Sequence, residues 1–276
     1  MGSQAVMQAV MQAVLVLNLS DLLTAASLVA MSAAISMVMR LGMARSILWA
    51  AARTVLQLLL VGYILRRVFA HASPWITTAV VLVMMALAAR EVAARPAGRL
   101  SAAGNFRIGA LAVISTTAVT ALFILSTALR PDPWYDPRYL IALVGIVLGS
   151  VLNASSLALD NMLKGVRRER AAIEARIALG ATPWEAFSAL MRESVRRGLV
   201  PAINQMAAAG VITLPGIMTG QILAGMDPVQ AVKYQILILF LLCGASGLAA
   251  ISAAWAALRH LTDARGRLRL DRLHDH

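Results

Sequence analysis

Apolar residues in this chain are grouped into long blocks that short polar segments separate. The blocks are about 17–25 residues long, the length an α-helix needs to cross roughly 30 Å of hydrocarbon. Backbone polar groups in a bilayer must be satisfied within their own segment, so each block predicts a helix. We predict seven membrane spans, at about 21–39, 47–65, 75–89, 108–129, 139–159, 199–224 and 233–258.

These spans predict an all-α fold, a polytopic helical bundle integral to a membrane, with residues 1–276 forming a single domain. The pair Ser20-Asp21 predicts the N-cap that opens the first span. Composition agrees with this class, because 60% of the residues are hydrophobic and only 14% are charged. Soluble domains carry about 45–50% apolar and about 25% charged residues, so a soluble enzyme is excluded.

The basic residues have an uneven distribution along the chain. The formal net charge is +12, but basic residues of membrane proteins collect in cytoplasmic loops, so this charge predicts no nucleic-acid partner. Lys and Arg number 19 in the segments on one side of the spans and 5 on the other. This asymmetry predicts the N-terminus outside and the C-terminus inside, with Arg66 and Arg67 as an exception in the first hairpin.

The longest polar segment, at 160–198, predicts a helix, a tight turn and a second helix on the cytoplasmic face. Gly180 is a typical helix C-cap, and Thr182 predicts the next N-cap, with Pro183 at the first helical position and Glu185 three residues after the cap. Two interpretations remain open. The segment is a solvated loop attracted to anionic lipid, or a docking element for a partner protein.

Trp184 and Phe187 are predicted to be exposed on this segment, which suits the docking interpretation. The second basic cytoplasmic segment is the tail at 259–276, in which His274, Asp275 and His276 are predicted to be solvated rather than to bind a metal. Cys243 is the one cysteine of the chain, so no disulfide framework forms.

The stretch EARIALG, residues 174–180, resembles the EAA---G coupling motif of ABC-transporter permeases. Arg176 replaces the second alanine of that motif, and LMRE (190–193) stands where the family has I-x-L-P. In the family this motif forms a short cytoplasmic helix that seats in an ATPase subunit. The resemblance implies coupling roles for Glu174, Ala175, Gly180, Ala181, Thr182, Pro183 and Trp184.

Most of the chain is similar to the FetB-like permeases, iron-export subunits of bacterial ABC transporters. The resemblance is carried by ARTVLQLLLVGYIL (52–65), SLALDNM (156–162), EARIALGATPWEAF (174–187) and LPGIMTGQILAGMDPVQAVKYQILILF (214–240). It implies a permease subunit in the inner membrane, a homodimer of permease chains and an ABC-type ATPase partner. Plant members of the family are linked to aluminium tolerance, so the substrate remains open between a metal ion and a small metabolite.

The chain contains no G-x-x-x-x-G-K-[ST] loop, so it has no such phosphate-binding loop of its own. ATP and Mg²⁺ are therefore expected in the partner ATPase, with no cofactor bound by this chain. No His, Cys and carboxylate cluster with ligand spacing occurs, and no nucleophile–base pair stands out, which leaves metal ligands unassigned.

Polar residues within or beside the spans are candidates for a transport pathway. Pro201 and Pro215 are predicted to interrupt the span at 199–224, and such breaks are tolerated where freed carbonyls face a cavity or another helix. Helix packing, snorkelling of Arg53 and pairing of Asp160 with Lys164 are the alternatives. The candidates are Arg53, Gln57, Asn153, Asp160, Asn204, Thr213, Pro215, Thr219 and Gln221.

The sequence is also compatible with two other function classes. The first is a secondary transporter or channel that needs no ATPase, in which Arg53 and Asp160 are relay groups. The second is a regulatory membrane subunit without a pathway.

Overall fold

The computed structural model describes residues 18–71, 73–94, 99–100, 102–129, 136–263 and 265–274. Within these residues the chain is helical, apart from one short strand pair. The helices are α1 (Leu19–Val38), α2 (Ala44–His71), α3 (Pro74–Ala94), α4 (Ala102–Ile124), α5 (Pro137–Arg168), α6 (Arg170–Ala178), α7 (Pro183–Ala208), α8 (Gly216–Leu223) and α9 (Pro228–Leu261). A π-helical turn (Leu125–Leu129) continues α4, and β1 (Arg99–Leu100) pairs antiparallel with β2 (Leu273–His274).

Six helices in the described part of the chain, namely α1 to α5 and α9, are long and apolar enough to cross a membrane. Each coincides with a predicted span. The predicted interruption of the span 199–224 at Pro215 is confirmed, because α7 ends at Ala208 and α8 begins at Gly216. Ala209 is extended and Gly210 has a φ of +81°, which turns the chain out of the helix. That this segment crosses the membrane, and that the N-terminus lies outside, remain predictions.

The predicted interruption of the span at Pro201 is absent, because Pro201 lies inside the continuous helix α7. α5 is longer than its predicted span. It continues into the polar segment after residue 160 and stays packed against the bundle there. The contacts divide the chain into two compact units, a smaller one and a larger one.

The smaller unit contains α1, α2 and residues 220–227. α1 begins after Asn18, two residues before the predicted cap at Ser20, because the Asp21 carboxylate accepts from the Asn18 N–H at 2.8 Å. α1 ends where Arg40 takes a φ of +53° and the Leu41 N–H donates to the Ser36 carbonyl at 2.9 Å. α1 and α2 are apolar and largely exposed over their lengths, as expected for helices that face lipid or another chain.

The larger unit is built around α5, which packs against α3, α4, α7 and α9. Its central residues Val147, Val151 and Leu159 are completely buried. α9 turns a face of small residues toward the core, including Ala249, Ala250, Ala253 and Ala257. Small side chains let helix backbones approach closely, which is the usual packing mode of helices in membranes.

Gly198 of α7 lies where three helices meet. A Cβ atom at this position would stand 2.8 Å from the Ala154 carbonyl oxygen of α5 and 2.8 Å from the Ala250 Cβ of α9. The contact with a backbone oxygen cannot be relieved by a rotamer change. Glycine is therefore required here for close approach rather than for backbone conformation.

The described C-terminal segment, 265–274, folds back onto the bundle and does not extend away from it. Leu268, Leu270 and Leu273 pack against the core. The Arg269 N–H donates to the Leu261 carbonyl at 2.8 Å. The reason is hydrophobic: leucines alternate with charged residues, and burying them outweighs the solvation of an extended tail. Residues 275 and 276 lie outside the described part.

Candidate coupling surface

A tight turn joins α6 to α7 at the end of the bundle that the charge distribution predicts to be cytoplasmic. The Ala181 N–H donates to the Arg176 carbonyl at 3.0 Å, and the Gly180 N–H donates to the Ile177 carbonyl at the same distance. These two bonds form a Schellman motif. Gly180 has a φ of +93°, which glycine adopts without a steric penalty. The prediction that Gly180 ends the first helix is confirmed.

Thr182 caps the N-terminus of α7. Its Oγ1 accepts from the Glu185 N–H at 3.3 Å, and the Glu185 Oε2 accepts from the Thr182 N–H at 2.8 Å. This reciprocal arrangement is a capping box, and Pro183 occupies the first helical position. The predicted helix, turn and helix are therefore all present.

The capping box makes the stability of the turn depend on pH. The Thr182 N–H, followed by the Thr182 hydroxyl, lowers the pKa of the Glu185 carboxyl from its ordinary value of 4.5. A carboxylate with a lowered folded-state pKa stabilises the protein above the unfolded pKa, and this contribution is lost as the pH falls through the folded value. We expect Glu185→Gln to lower the melting temperature at neutral pH, with the difference from wild type shrinking below pH 4.5. Thermal melts across this range check it, and a pH-independent difference would contradict it.

The turn projects two large apolar side chains outward. Leu179 is 89% exposed and Trp184 is 56% exposed. Large apolar groups exposed together on a polar segment are typical of a docking surface. We call residues 174–184 the coupling tip. Around the two apolar groups, Glu174, Ala175, Gly180 and Thr182 are exposed, and Ala181 and Pro183 are half-buried.

The prediction that Phe187 is exposed beside Trp184 is wrong. Phe187 is 0% exposed and lies in the core of the larger unit. Phe187, Leu190 and Ser194 follow helical spacing and face inward along α7. Trp184 lies one turn earlier and lines an open groove with Trp255 and Arg259 of α9. Phe187 therefore anchors the coupling tip and takes no part in its surface.

Two hydrogen bonds behind the coupling tip fasten it to the bundle. Arg176 Nη1 donates to the Ala186 carbonyl at 3.1 Å, which joins α6 to α7. Asn161 Nδ2 donates to the buried Ser194 Oγ at 2.9 Å, which joins α5 to α7. A buried hydrogen bond in a dry interior is costly to break. A force applied to the coupling tip therefore acts on α5 and α7 together.

Two candidate pathway residues, Asn153 and Asp160, lie on α5 seven residues apart and therefore on one face. The Lys164 Nζ donates to the Asp160 Oδ2 at 2.7 Å, so the predicted pairing is confirmed. An exposed pair of this kind contributes about 0–1 kcal/mol.

Three more candidates surround the break between α7 and α8. Thr213 Oγ1 donates to the Ala208 carbonyl at 3.3 Å, and Thr219 Oγ1 donates to the Pro215 carbonyl at 3.2 Å. The same two carbonyls also accept backbone N–H groups, Ala208 from Ile212 at 3.0 Å and Pro215 from Thr219 at 3.0 Å. The Thr213 and Thr219 hydroxyls are thus engaged with backbone carbonyls on the two sides of the break.

The remaining candidates are on other elements. Arg53 and Gln57 lie one turn apart on the exposed α2, Asn204 is exposed near the end of α7, and Gln221 is half-buried in α8. Among the described residues, no group of three or more His, Cys, Asp or Glu side chains is arranged to hold a metal ion.

The predicted pathway candidates leave out a set of buried polar side chains in the larger unit. Their side-chain oxygens have no hydrogen-bond partner within the described part of the chain, and they belong to Thr116, Thr117, Ser155, Ser156 and Gln235. Leaving such a group unsatisfied costs about 1–3 kcal/mol. Their only sequence signal is a small polar residue within an apolar span, which is equally typical of helix packing.

The family model described as Uncharacterised protein family (UPF0014) matches residues 19–262. The chain is 38% identical to the UPF0014 membrane protein slr1647 of Synechocystis sp., over 79% of this chain and 84% of that protein. It is 32% identical to the Probable iron export permease protein FetB of Escherichia coli, over 90% of this chain and 93% of that protein. It is 33% identical to the UPF0014 membrane protein STAR2 of Oryza sativa subsp. japonica, over 84% and 79%. No solved structure matches the chain.

The chain belongs to the UPF0014 family and is a multi-pass membrane protein. The resemblance to FetB-like permeases found in the sequence is confirmed.

Proposed function

We propose that this UPF0014 member is the membrane-spanning permease subunit of an ABC transporter, which exports a metal ion while a separate ATPase subunit hydrolyses ATP. The observation that carries the proposal is the coupling tip. Its exposed Leu179 and Trp184 offer an apolar contact, and its fastening to α5 and α7 suits the transmission of force.

In this mechanism, ATP binding and Mg²⁺ act in the partner ATPase, which moves the coupling tip. Because Arg176 ties α6 to α7 and Asn161 ties α5 to α7, the three helices move as one body. Rocking of this body against the rest of the complex opens the pathway outward. The chain itself carries out no hydrolysis and works as a homodimer of permease subunits in the bacterial inner membrane.

Iron is the first candidate substrate, because a relative covering most of this chain is named a probable iron export permease. The buried oxygens of α4, α5 and α9 that lack partners support a small polar cargo. Such oxygens can replace part of the hydration shell of an ion in passage. Further candidate parts of the pathway are the break between α7 and α8 and the face of α5 that carries Asn153 and Asp160.

Reconstitution tests the proposal directly. We expect proteoliposomes that contain this chain and its ATPase to move Fe²⁺ only when ATP is hydrolysed. Transport by the chain alone, without nucleotide, would instead establish a secondary transporter or channel. Equal ATP-dependent transport of other metal ions, or of a metabolite but not iron, would overturn the iron assignment and leave the ATPase partnership intact.

The coupling tip gives this test a matched pair of variants. Gly180→Val places a branched side chain at a φ of +93°, which costs about 1–2 kcal/mol and reshapes the turn. We expect it to abolish most of the stimulation of the ATPase by the permease. Gly225→Val introduces similar strain at a φ of +89° outside the coupling tip and should leave stimulation unchanged. Equal stimulation by both variants would refute the coupling role.

A further inference from the structure

A cationic cavity lies in the larger unit where the beginning of α4 meets the end of α9. It has a volume of about 420 Å³, and its lining includes Arg107, Leu111, Trp255, Arg259 and His260. The described residues that line it include no carboxylate. This end of both helices is the one that the charge distribution predicts to face the cytoplasm.

The positive charge of the cavity is reinforced from behind. The Arg259 guanidinium stacks over the Trp255 ring with 4.9 Å between its central carbon and the ring centroid. Arg272 of the C-terminal segment donates to the His260 carbonyl at 2.6 Å, which brings a third guanidinium to this corner. The cavity thus offers an anion several donors on a partly apolar support.

One carboxylate lies close by, in the neighbouring groove that shares Trp255 and Arg259. This is Asp263, and its oxygens already accept from the Arg267 side chain at 2.9 Å and from the backbone N–H of Arg265 at 2.9 Å. The Arg267 backbone N–H also donates to Asp263, and this bond is the main cause that lowers the pKa of the Asp263 carboxyl. The bonds from the Arg267 side chain and the Arg265 N–H lower it further. Asp263 is thus engaged within its own loop and leaves Arg259 available for an external anion.

The cavity has an apolar side as well as a cationic side. Leu111 lies one turn further into α4 than Arg107, and it is 48% exposed. Trp255 lies one turn further into α9 than Arg259, and it is 40% exposed. Both apolar residues are on the side toward the middle of the membrane-crossing helices. A ligand that fits both sides has an anionic head and a hydrocarbon chain, which a soluble phosphate lacks.

We propose that this cavity binds one anionic phospholipid. Arg107 and Arg259 hold the phosphodiester of the headgroup, and Leu111 and Trp255 contact the upper part of an acyl chain. Basic pockets between membrane helices on the cytoplasmic side favour such headgroups. The bound lipid also lies beside the C-terminal segment, whose Gly266 is close enough to Pro183 of the coupling tip that a Cβ there would contact it at 3.2 Å.

Native mass spectrometry of the purified full chain tests this site without an ATPase or a metal, so its outcome does not depend on the transport proposal. We expect phosphatidylglycerol to be retained in preference to phosphatidylcholine of the same acyl chains. Each removed guanidinium should weaken retention about fivefold, and the double variant Arg107→Gln/Arg259→Gln about 25-fold, from roughly 1 kcal/mol per cation near a membrane surface. Arg138→Gln removes an exposed cation at the beginning of α5, away from the cavity, and should change retention little.

If the double variant fails to fold, the lipid preference of the wild-type protein still tests the proposal. Equal retention of the two lipids by wild type would overturn the proposal. Displacement of phosphatidylglycerol by inorganic phosphate at equal concentration would also overturn it, because the site would then take a soluble anion. An unchanged preference in a folded double variant would place the lipid elsewhere.

Discussion

Leu179→Asp is expected to abolish stable association with the ATPase subunit, weakening affinity at least about 30-fold. Leu179 is 89% exposed at the coupling tip, so a change of its side chain leaves the folded chain intact. A central apolar anchor of an interface contributes about 2 kcal/mol or more, and a carboxylate in an apolar groove adds a desolvation cost. Co-purification and ATPase stimulation in the reconstituted complex measure the effect.

The control for Leu179→Asp also introduces a carboxylate on the same predicted side of the membrane, with a larger change of net charge. Arg265→Asp alters an exposed residue of the C-terminal segment outside the coupling tip and should leave association nearly unchanged. Both variants should melt at the wild-type temperature. Wild-type affinity for the ATPase in the Leu179 variant would remove the coupling tip from the interface.

Gly198→Val is expected to destabilise the larger unit by about 3 kcal/mol or more. A Cβ at this position would stand 2.8 Å from the Ala154 carbonyl oxygen and from the Ala250 Cβ, so α7 must move away from α5 and α9. Overpacking of this kind costs about 1–3 kcal/mol and occasionally more, and here a backbone atom blocks relief. The free energy of unfolding in mixed detergent micelles measures the loss.

The matched control is Gly149→Val in α5, also a helical glycine. No atom lies within 4 Å of a Cβ built at Gly149, so the added side chain meets open space. We expect a change within about 0.5 kcal/mol, or a slight gain, since valine has a higher helix propensity than glycine. Similar losses in both variants would show that helix packing at Gly198 is not special.

Much of the coupling tip could be predicted from the sequence because its chemistry is local. Gly180, Thr182, Pro183 and Glu185 act within one or two turns of the backbone, where the types and spacing of residues decide the hydrogen bonds. The ion pair of Asp160 with Lys164 is local in the same way. The role of these residues in coupling remains a prediction, since it depends on a second protein.

Other features could not be predicted, because they depend on which surfaces meet in space. Phe187 is buried only because α7 lies along α5, and hydrophobicity alone suits an exposed anchor equally well. The break before Gly216 agrees with the predicted interruption at Pro215, but the end of α7 at Ala208 was not predicted, since Pro201 leaves its helix intact and the chain turns seven residues later. The cationic cavity joins Arg107 with Arg259, which are far apart in the chain.

The amino-acid sequence by itself determined the class of the protein, the places of six long helices and the caps of the turn between α6 and α7. These follow from the length of apolar blocks in a bilayer and from hydrogen bonds that close within a few residues. Only the tertiary structure decided the inward side of α7, the close approach at Gly198, the folding back of the C-terminal leucines and the cavity between α4 and α9. Each of these depends on contacts between distant segments, whose free energy is set by shape and burial and leaves no local pattern.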